Sequence, residues 1–399
     1  MADDTAALKE LQARLNASFE AIYHAKDARS LADAKNSLVG LTQATAGVAL
    51  GPVFSIVAFA GLPINYMAIK IALDLKIFDH FASKPQSLEE LVKATKADAR
   101  LLNRILRLIT ALGWIKQDAV DVWQSTPLSR LATVPAFRDW LTVHFDTRMQ
   151  TYSEFPEWLR KHDYKTSWAS DTDNIWLQEN GEPVWEYMAS HPEYGARFDS
   201  AMSMQDSLPP EMSPPYPFPD ELKDTKVDGE SVTLVDVGGG FGQTIDSIKT
   251  NYPDLGGKFI LQDLPKSIDA LDAARSQTAG FQAMSHDFFK EQPVKGAKYY
   301  HMRRILHDWN DEKCLEILAA ARSAMDPAYS KLLVVDFVLP DLNAGLLESH
   351  LDLMMMTTCD GQERSESEWH QLLGKAGFRI DRILRPEVGT TSVIEASIV

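Results

Sequence analysis

Val235-Asp236-Val237-Gly238-Gly239-Gly240-Phe241-Gly242 joins an apolar run that ends beside an acid to a glycine turn, and then to Gln243–Asn251, a helical stretch stopped by Tyr252-Pro253. Leu234 to Val237 reads as a buried parallel strand, the glycines as the turn, and the residues after them as a helix. Glycine is needed where a side chain would hold a ligand off the backbone or clash at positive φ. The strict dinucleotide spacing G-x-G-x-x-G would require glycine at 243 or 245, where Gln243 and Ile245 stand. The run therefore fits a nucleoside ligand without a pyrophosphate better than NAD, with a tight turn that binds nothing as the plain alternative.

Around this run, strand and helix patterns alternate. The strand-like segments are Thr233–Val237, Phe259–Leu261, Ala297–Met302, Leu332–Phe337, Arg379–Leu384 and Ser392–Ile398, with helical stretches between most of them. That alternation predicts an α/β fold, a Rossmann-like doubly wound and mostly parallel sheet whose ligands sit at the carboxyl ends of its strands. Six prolines between Pro209 and Pro219 read as a linker, dividing the chain into a mostly helical part, 1–212, and the sheet domain, 213–399.

In the helical part, Ser87-Leu88-Glu89-Glu90-Leu91 is a helix start with serine as cap and glutamate three residues on. Leu101, Leu102, Ile105, Leu106, Ile109 and Leu112 recur at helical spacing, and Trp114–Lys116 and Val120–Trp123 make a short hairpin. Helices followed by a hairpin form a winged-helix arrangement. The formal net charge of −16, from 56 acids against 40 bases, argues against nucleic acid or an anionic membrane as partner. Residues 135–212 are rich in aromatics and methionine, including Trp140, Tyr152, Trp176 and Met202, which suits either a core or an adaptable apolar pocket. Gly47–Pro63 is apolar, broken by Gly51, Pro52 and Gly61 and shorter than the ~20 residues of a membrane span, so burial within the protein or in a dimer contact is expected. Two cysteines far apart and an acidic opening, Met1-Ala2-Asp3-Asp4, suit a reducing cytoplasmic compartment.

The chemistry gathers at predicted strand ends. Asp263 follows the glycine turn at about the distance at which an acid accepts hydrogen bonds from a ribose diol. His286-Asp287-Phe288-Phe289 places a carboxylate beside aromatic rings, as an adenine site needs, and with Gly238, Gly240 and Asp263 it describes a nucleoside site. His307 falls just beyond the strand Ala297–Met302, Asp336 closes the strand Leu332–Phe337, and Glu363 lies in the polar loop Asp360–Arg364. An imidazole becomes a better base when a carboxylate orients its other nitrogen, so this histidine with two acids reads as a general base.

These residues resemble the class I S-adenosylmethionine-dependent O-methyltransferases of the plant caffeic-acid and flavonoid type and their fungal natural-product relatives, from roughly Ala68 to Val399. The markers are Ala72–Asp79, Val235–Gly242, Gln262-Asp263-Leu264-Pro265, Leu306-His307-Asp308-Trp309 and Gln362-Glu363-Arg364-Ser365-Glu366. The resemblance implies that Gly238 and Gly240 approach the aminoacyl end of the cofactor. It implies that Asp263 holds the ribose, Leu264 packs on the adenine, and Asp287 with Phe288 lines the adenine pocket. His307 would be the base, flanked by Asp336 and Glu363, with Arg303 standing where the family often has lysine and Asp336 where it often has glutamate. Met202, Met354 and Thr358 fall at implied substrate-pocket positions, and the 1–212 part would serve dimerisation and cover the substrate.

The expected reaction is methylation of a phenolic, enolic or pyridone hydroxyl of a small aromatic or polyketide-derived acceptor, releasing S-adenosylhomocysteine, by a metal-independent homodimer. Some fungal relatives keep the fold and cofactor yet catalyse dehydration or pericyclic cyclisation. The Arg303-Arg304 pair and His144 would suit that use, unless His144 is a packed helix residue and Arg304 faces solvent. The apolar surface of Leu38–Phe78 exceeds what a small helical domain can bury in itself, which supports the homodimer.

Overall fold

The computed structural model describes residues 2–26, 28–82, 84–165, 174–204, 216–223, 229–271, 280–386 and 391–399. The chain divides into two compact units, Met1–Lys161 with Glu179–Leu208, and His162–Gln178 with Pro209–Val399. The expected boundary at 212/213 and most of the proline-rich linker lie outside the described residues.

The first unit begins with two helices, Ala2–Tyr23 and Ala28–Ala60, packed along each other over Leu11, Ala34 and Leu41. The second bends at Gly51, whose φ of 70° and ψ of 167° are non-helical and precede Pro52. Burial of Gly47–Pro63 was expected within the protein or in a dimer contact. Within this chain Val53, Phe54, Ile56, Val57 and Phe59 are instead 62–75% exposed. The apolar stretch is also longer than the sequence breaks suggest: the helix runs through Gly51 and Pro52 with one irregular residue, and Ser37–Ala60 is, by length and composition alone, long enough to cross a membrane.

Farther on, Ser87 caps the helix Leu88–Thr95 in a reciprocal pair with Glu90, and Asp98 caps Ala99–Ala111. Leu102, Ile105, Leu106 and Ile109 bury the inner stripe of the latter helix against Ala68, Ala72, Ile77 and Phe78, while Leu101 lies outside it, exposed. The hairpin β2 (Ile115–Ala119) and β3 (Val122–Ser125) joins β1 (Gln86–Ser87) in a small sheet of order β1-β3-β2, which completes the winged-helix arrangement.

The second unit is built on a seven-stranded sheet of order β6-β5-β4-β7-β8-β10-β9. Its strands are β4 (Val232–Val237), β5 (Lys258–Asp263), β6 (Gln282–Ser285), β7 (Tyr299–Arg303), β8 (Lys331–Phe337), β9 (Phe378–Leu384) and β10 (Thr391–Ile398). All pairings are parallel except those of β10, which runs antiparallel to both β8 and β9. Successive residues of a strand point to opposite faces. Thus Val235, Val237, Ile260 and Met302 enter one core with Ile317, Leu318, Trp369 and Leu372. Leu234, Phe259, Leu261, Tyr299 and Leu333 enter the other, with Ile245 and Phe281. Burial on both faces is why these strands read as continuous apolar runs. The strand order changes direction at β4 and β7, so the carboxyl ends of these two neighbours flank the crevice where such folds bind ligands.

Candidate active site

The glycine turn leaves β4 with Gly238, Gly240 and Gly242 at φ of 69°, 59° and 83°. An L side chain is strained there, which explains the residue choice. Gly238 and Gly239 donate their amides to the Gln262 carbonyl at 2.8 and 3.1 Å, locking the turn onto the end of β5. A Cβ on Gly239 would sit 2.4 Å from Asp236 Oδ2, and one on Gly238 would sit 2.5 Å from Ile305 Cδ1 and 3.5 Å from the Phe288 ring. A Cβ on Gly240 meets nothing nearer than Gln243 Oε1 at 3.9 Å, so the turn is packed underneath and bare at this residue.

Asp263 closes β5. Its Oδ2 accepts from the Gly240 amide and its Oδ1 from the Leu264 amide, both at 2.8 Å, so one carboxylate aligns the turn and the segment after β5. The His286 amide donates to the Asp263 carbonyl at 2.8 Å, drawing Asp287 and Phe288 to the same edge, where Phe288, Phe289 and Trp309 form a ring cluster. Asp287 Oδ1 accepts from the Phe289 amide at 3.0 Å. Leu264 is 51% exposed, an apolar side chain left open beside Asp263. Arg303 ends β7, half-buried. Positive-φ glycines, a bare Gly240, a strand-end carboxylate and neighbouring aromatic faces fit an adenosyl ligand that has no pyrophosphate.

Past β7 the chain turns sharply. Arg304 has a left-handed φ of 56° and donates its amide to Val335 on β8 at 3.0 Å. Its guanidinium stacks on Phe337 with the carbon 3.8 Å from the ring centroid, and one amino group donates to Thr391 Oγ1 at 3.0 Å. Of the two readings of Arg304 left open above, solvent-facing does not describe it: the residue is half-buried, the stacked ring and the β10 hydroxyl hold its guanidinium at the sheet edge, and burial lowers its pKa. A single tight turn, Leu306–Asp308, then presents His307 before Asn310 caps the helix Asp311–Arg322.

His307, Asp336 and Glu363 come together although they lie in three separate segments. Asp336 sits one residue from the end of β8. Beyond β8, Leu339 bridges to Ser365, its amide donating to the Arg364 carbonyl at 3.0 Å, which lays the loop Gly361–Arg364 beside the turn that carries His307. Glu363 Oε1 lies 2.8 Å from His307 Nδ1, and Asp336 Oδ1 lies 4.0 Å from it. The missing methylene of Asp336 is visible in that gap: neither of its oxygens has a hydrogen-bond partner, although the residue is fully buried.

A third carboxylate, unforeseen in the sequence, completes the cluster: Asp308 Oδ1 lies 3.5 Å from His307 Nε2. Burial would lower the His307 pKa, but Asp308, Glu363 and Asp336 outweigh it and raise the imidazole to about 9. Burial, helped by the neighbouring acids, raises Asp308 to about 7 and Asp336 to about 6. With Glu363 on Nδ1, the imidazole keeps Nε2 as the nitrogen that can exchange a proton. The donor atoms of His307, Asp336 and Glu363 lie within 4.8 Å of one another, a spacing that would also admit a cation. The 2.8 Å contact between Nδ1 and Oε1 is that of a hydrogen bond.

Of the expected acceptor-pocket residues, His144 and Met202 lie in the first unit and Met354 and Thr358 in the second. His144 is a packed helix residue: Nδ1 donates to the Trp140 carbonyl at 2.7 Å, Nε2 faces Arg148 Nη1 at 3.1 Å, and burial with the Arg148 charge lowers it to about 3. Thr358 is buried, with its hydroxyl donated back to the Met354 carbonyl at 2.7 Å. The reading also missed Asp352, which accepts the Glu363 amide at 2.9 Å, and Gly361, which approaches the His307 carbonyl. The signal for Gly361 was its place directly before Gln362-Glu363-Arg364.

The sequence model of the O-methyltransferase domain matches residues 162–379, and that of the O-methyltransferase dimerisation domain matches 61–135. The chain is 33% identical to the methyltransferase cfoC of Aspergillus candidus over 340 residues, 84% of this chain and 83% of that one. Its fold matches OxaC, solved with S-adenosylhomocysteine and oxaline, at a TM-score of 0.87 and 23% identity, covering 99% of this chain and 100% of the other. It also matches a pericyclic reaction enzyme at a TM-score of 0.84 and 24% identity, with both chains covered fully.

Proposed function

This chain belongs to the O-methyltransferase family and is S-adenosylmethionine-dependent, and from that premise we propose that it methylates a phenolic, enolic or pyridone hydroxyl of a small aromatic or polyketide-derived acceptor, with His307 as general base. The observation that carries this reading is the 2.8 Å contact of Glu363 with His307 Nδ1 at the carboxyl edge of β7, beside the glycine turn, which leaves Nε2 for the acceptor's proton.

When bound, S-adenosylmethionine supplies an electrophilic methyl group on a positively charged sulfur and leaves as S-adenosylhomocysteine. The turn at Gly238 and the bare backbone of Gly240 would meet its aminoacyl end, Asp263 would accept from the ribose hydroxyls, and Leu264, Asp287 and Phe288 would enclose the adenine. Arg303 adds a cation at the end of β7. His307 Nε2 takes the proton from the acceptor hydroxyl as the oxygen attacks, and Glu363 steadies the imidazolium through Nδ1. Asp336, without direct contact, stabilises it through space. Holding oxygen and methyl in line contributes on the order of 7–11 kcal/mol to lowering the barrier. Met354 and Thr358 face the acceptor from the sheet domain, and Met202 is assigned to acceptor binding within the helical unit, where His144 is a neutral packed residue rather than an acid or base. The protein acts as a cytoplasmic homodimer, without metal, nucleic acid or membrane; unchanged turnover in EDTA is the expected outcome.

Incubation with methyl-labelled cofactor and a panel of phenolic and pyridone polyketides tests the reaction. Label should appear in an acceptor. The likeness to a pericyclic reaction enzyme, together with the buried Arg304 charge, favours one other outcome: conversion of a substrate with no label consumed, which would replace methyl transfer by charge-assisted rearrangement or dehydration.

A further inference from the structure

Three carbonyls around the catalytic turn, those of Leu306, His307 and Trp309, are held by one short loop. Gly361 approaches so closely that a Cβ there would lie 2.2 Å from the His307 carbonyl oxygen, and the Gln362 amide donates to that same oxygen at 2.9 Å. Glu363 holds the ring, and Arg364 reaches both flanks of the turn. Arg364 Nη1 donates to the Leu306 carbonyl at 3.0 Å and Nη2 to the Trp309 carbonyl at 2.9 Å. The guanidinium is anchored on Asp311 Oδ1 through Nε at 3.1 Å and Nη2 at 2.9 Å, and its carbon stands 5.4 Å from the Trp369 ring centroid. Only 1% of the residue is exposed.

A buried cation in this place is costly unless its donors are used. Here they converge on the two carbonyls that bracket His307-Asp308. A planar fork with donors at fixed separation spans two carbonyls and a carboxylate, which a lysine ammonium on a flexible stem cannot do. Simple stabilisation of the helix Asp311–Arg322 would not require the contact to Leu306, which opens the catalytic turn.

We propose that Arg364 is a positioning residue for His307: its guanidinium fixes the backbone on both sides of the catalytic turn, and so sets the direction in which Nε2 meets the acceptor while Nδ1 stays on Glu363. The proposal rests on His307 as the base. The Gln362 amide holds the His307 carbonyl, and the Cys314 thiol, a weak donor, stands 3.1 Å from the Leu306 and 3.4 Å from the Trp309 carbonyl, so the charged Arg364 fork is the strong link to both.

The test compares Arg364→Lys and Arg364→Gln with wild type, all normalised to folded sites by bound S-adenosylhomocysteine. Histidine labelled at its ring carbon is followed by NMR, with the His307 signal identified by its loss in His307→Gln. That measurement needs no acceptor, and the side chains facing the ring are Asp308, Asp336 and Glu363, with Arg304 behind them. In Arg364→Gln the His307 titration should move at least about one pH unit toward the ordinary value near 6.5, as the Glu363 contact loosens. Arg364→Lys should recover part of that shift. With the acceptor that takes label, kcat should fall at least about tenfold in Arg364→Gln and less in Arg364→Lys, while the acceptor KM and cofactor affinity stay within about threefold. An unmoved His307 titration with unchanged kcat per folded site, alongside a lower melting temperature, would overturn the positioning role and leave Arg364 a structural residue. Full turnover in His307→Gln would instead remove the base reading beneath it.

Discussion

At the scale of single residues, the balance between His307 and its three carboxylates decides how the site works. A phenol near pKa 10 stands about three to four units above an ordinary imidazole, an uphill transfer of roughly 5 kcal/mol. Raised to about 9, His307 nearly matches the phenol, but most of it is then protonated at neutral pH. At pH 7 the total falls only slightly, to about 4 kcal/mol, and mainly its division differs: about two pH units are met in freeing the base and about one in the transfer. Acceptor kcat/KM should therefore rise with pH through a midpoint above 6.5 and toward about 9, and a profile already flat above pH 6.5 would contradict the cluster. The same shift has a consequence for stability. The folded-state pKa lies above the unfolded one, so the contribution is fully present below pH ~6.5 and is lost as pH rises through about 9. The melting temperature should fall across that window by less in His307→Gln than in wild type. His307→Gln should also cut methyl transfer at least ~100-fold with cofactor affinity intact, as expected for loss of a positioned base. The two flanking acids should separate: Glu363, in contact at 2.8 Å, should cost more when changed to Gln than Asp336, at 4.0 Å, when changed to Asn. Equal losses measured as kcat/KM would mean that reach does not matter here.

At the scale of elements, the loop Gly361–Arg364 is as much a part of the site as the strand ends. Gly361→Ala would drive a methyl into the His307 carbonyl, with Asp308 Cα only 3.1 Å away, and backbone atoms on both sides leave little room to yield. Overpacking of this kind costs about 1–3 kcal/mol. The expected result is a lower melting temperature together with a loss of turnover, and wild-type values for both would show that the loop can shift freely. This element also shows where the sequence was legible. Thr233–Val237 and Leu332–Phe337 were readable as strands because both faces are buried, leaving mostly apolar runs with an acid near the exit. β6 (Gln282–Ser285) was not readable: it is a short edge strand paired only with β5, and its side chains are mostly exposed, so no apolar period marks it. His307, Asp336 and Glu363 could be proposed from strand-end positions and family markers. Their distances could not, because they depend on a loop brought back by the Leu339–Ser365 bridge. Asp308 and Arg364 stood inside quoted motifs, yet their work depends on burial and on contacts across about fifty residues of chain, which spacing does not reveal.

At the scale of the whole molecule, the long N-terminal helix leaves an apolar face open in one chain, and a match to the dimerisation domain lies directly after it. Val53, Phe54, Ile56, Val57 and Phe59 are 62–75% exposed along a single stretch, and contiguous apolar surface of this kind marks an interaction site on a soluble chain. A second copy is the occupant that the family's dimerisation domain favours, and closed twofold pairing is the commonest way for identical chains to cover such a face. Light scattering at micromolar concentration should therefore report twice the 44.6 kDa of the single chain. Phe54→Lys with Val57→Lys should shift that mass toward one chain, since two like charges placed in an apolar contact would lack partners and water. These side chains are exposed within the chain, so the substitutions should leave its fold intact by circular dichroism. Ser37–Ala60 also meets the length and composition of a membrane span, and flotation with lipid vesicles distinguishes the two uses of the face. Recovery of the wild-type protein with the vesicles, together with an unchanged mass for the double variant, would show that lipid rather than a second copy covers this helix.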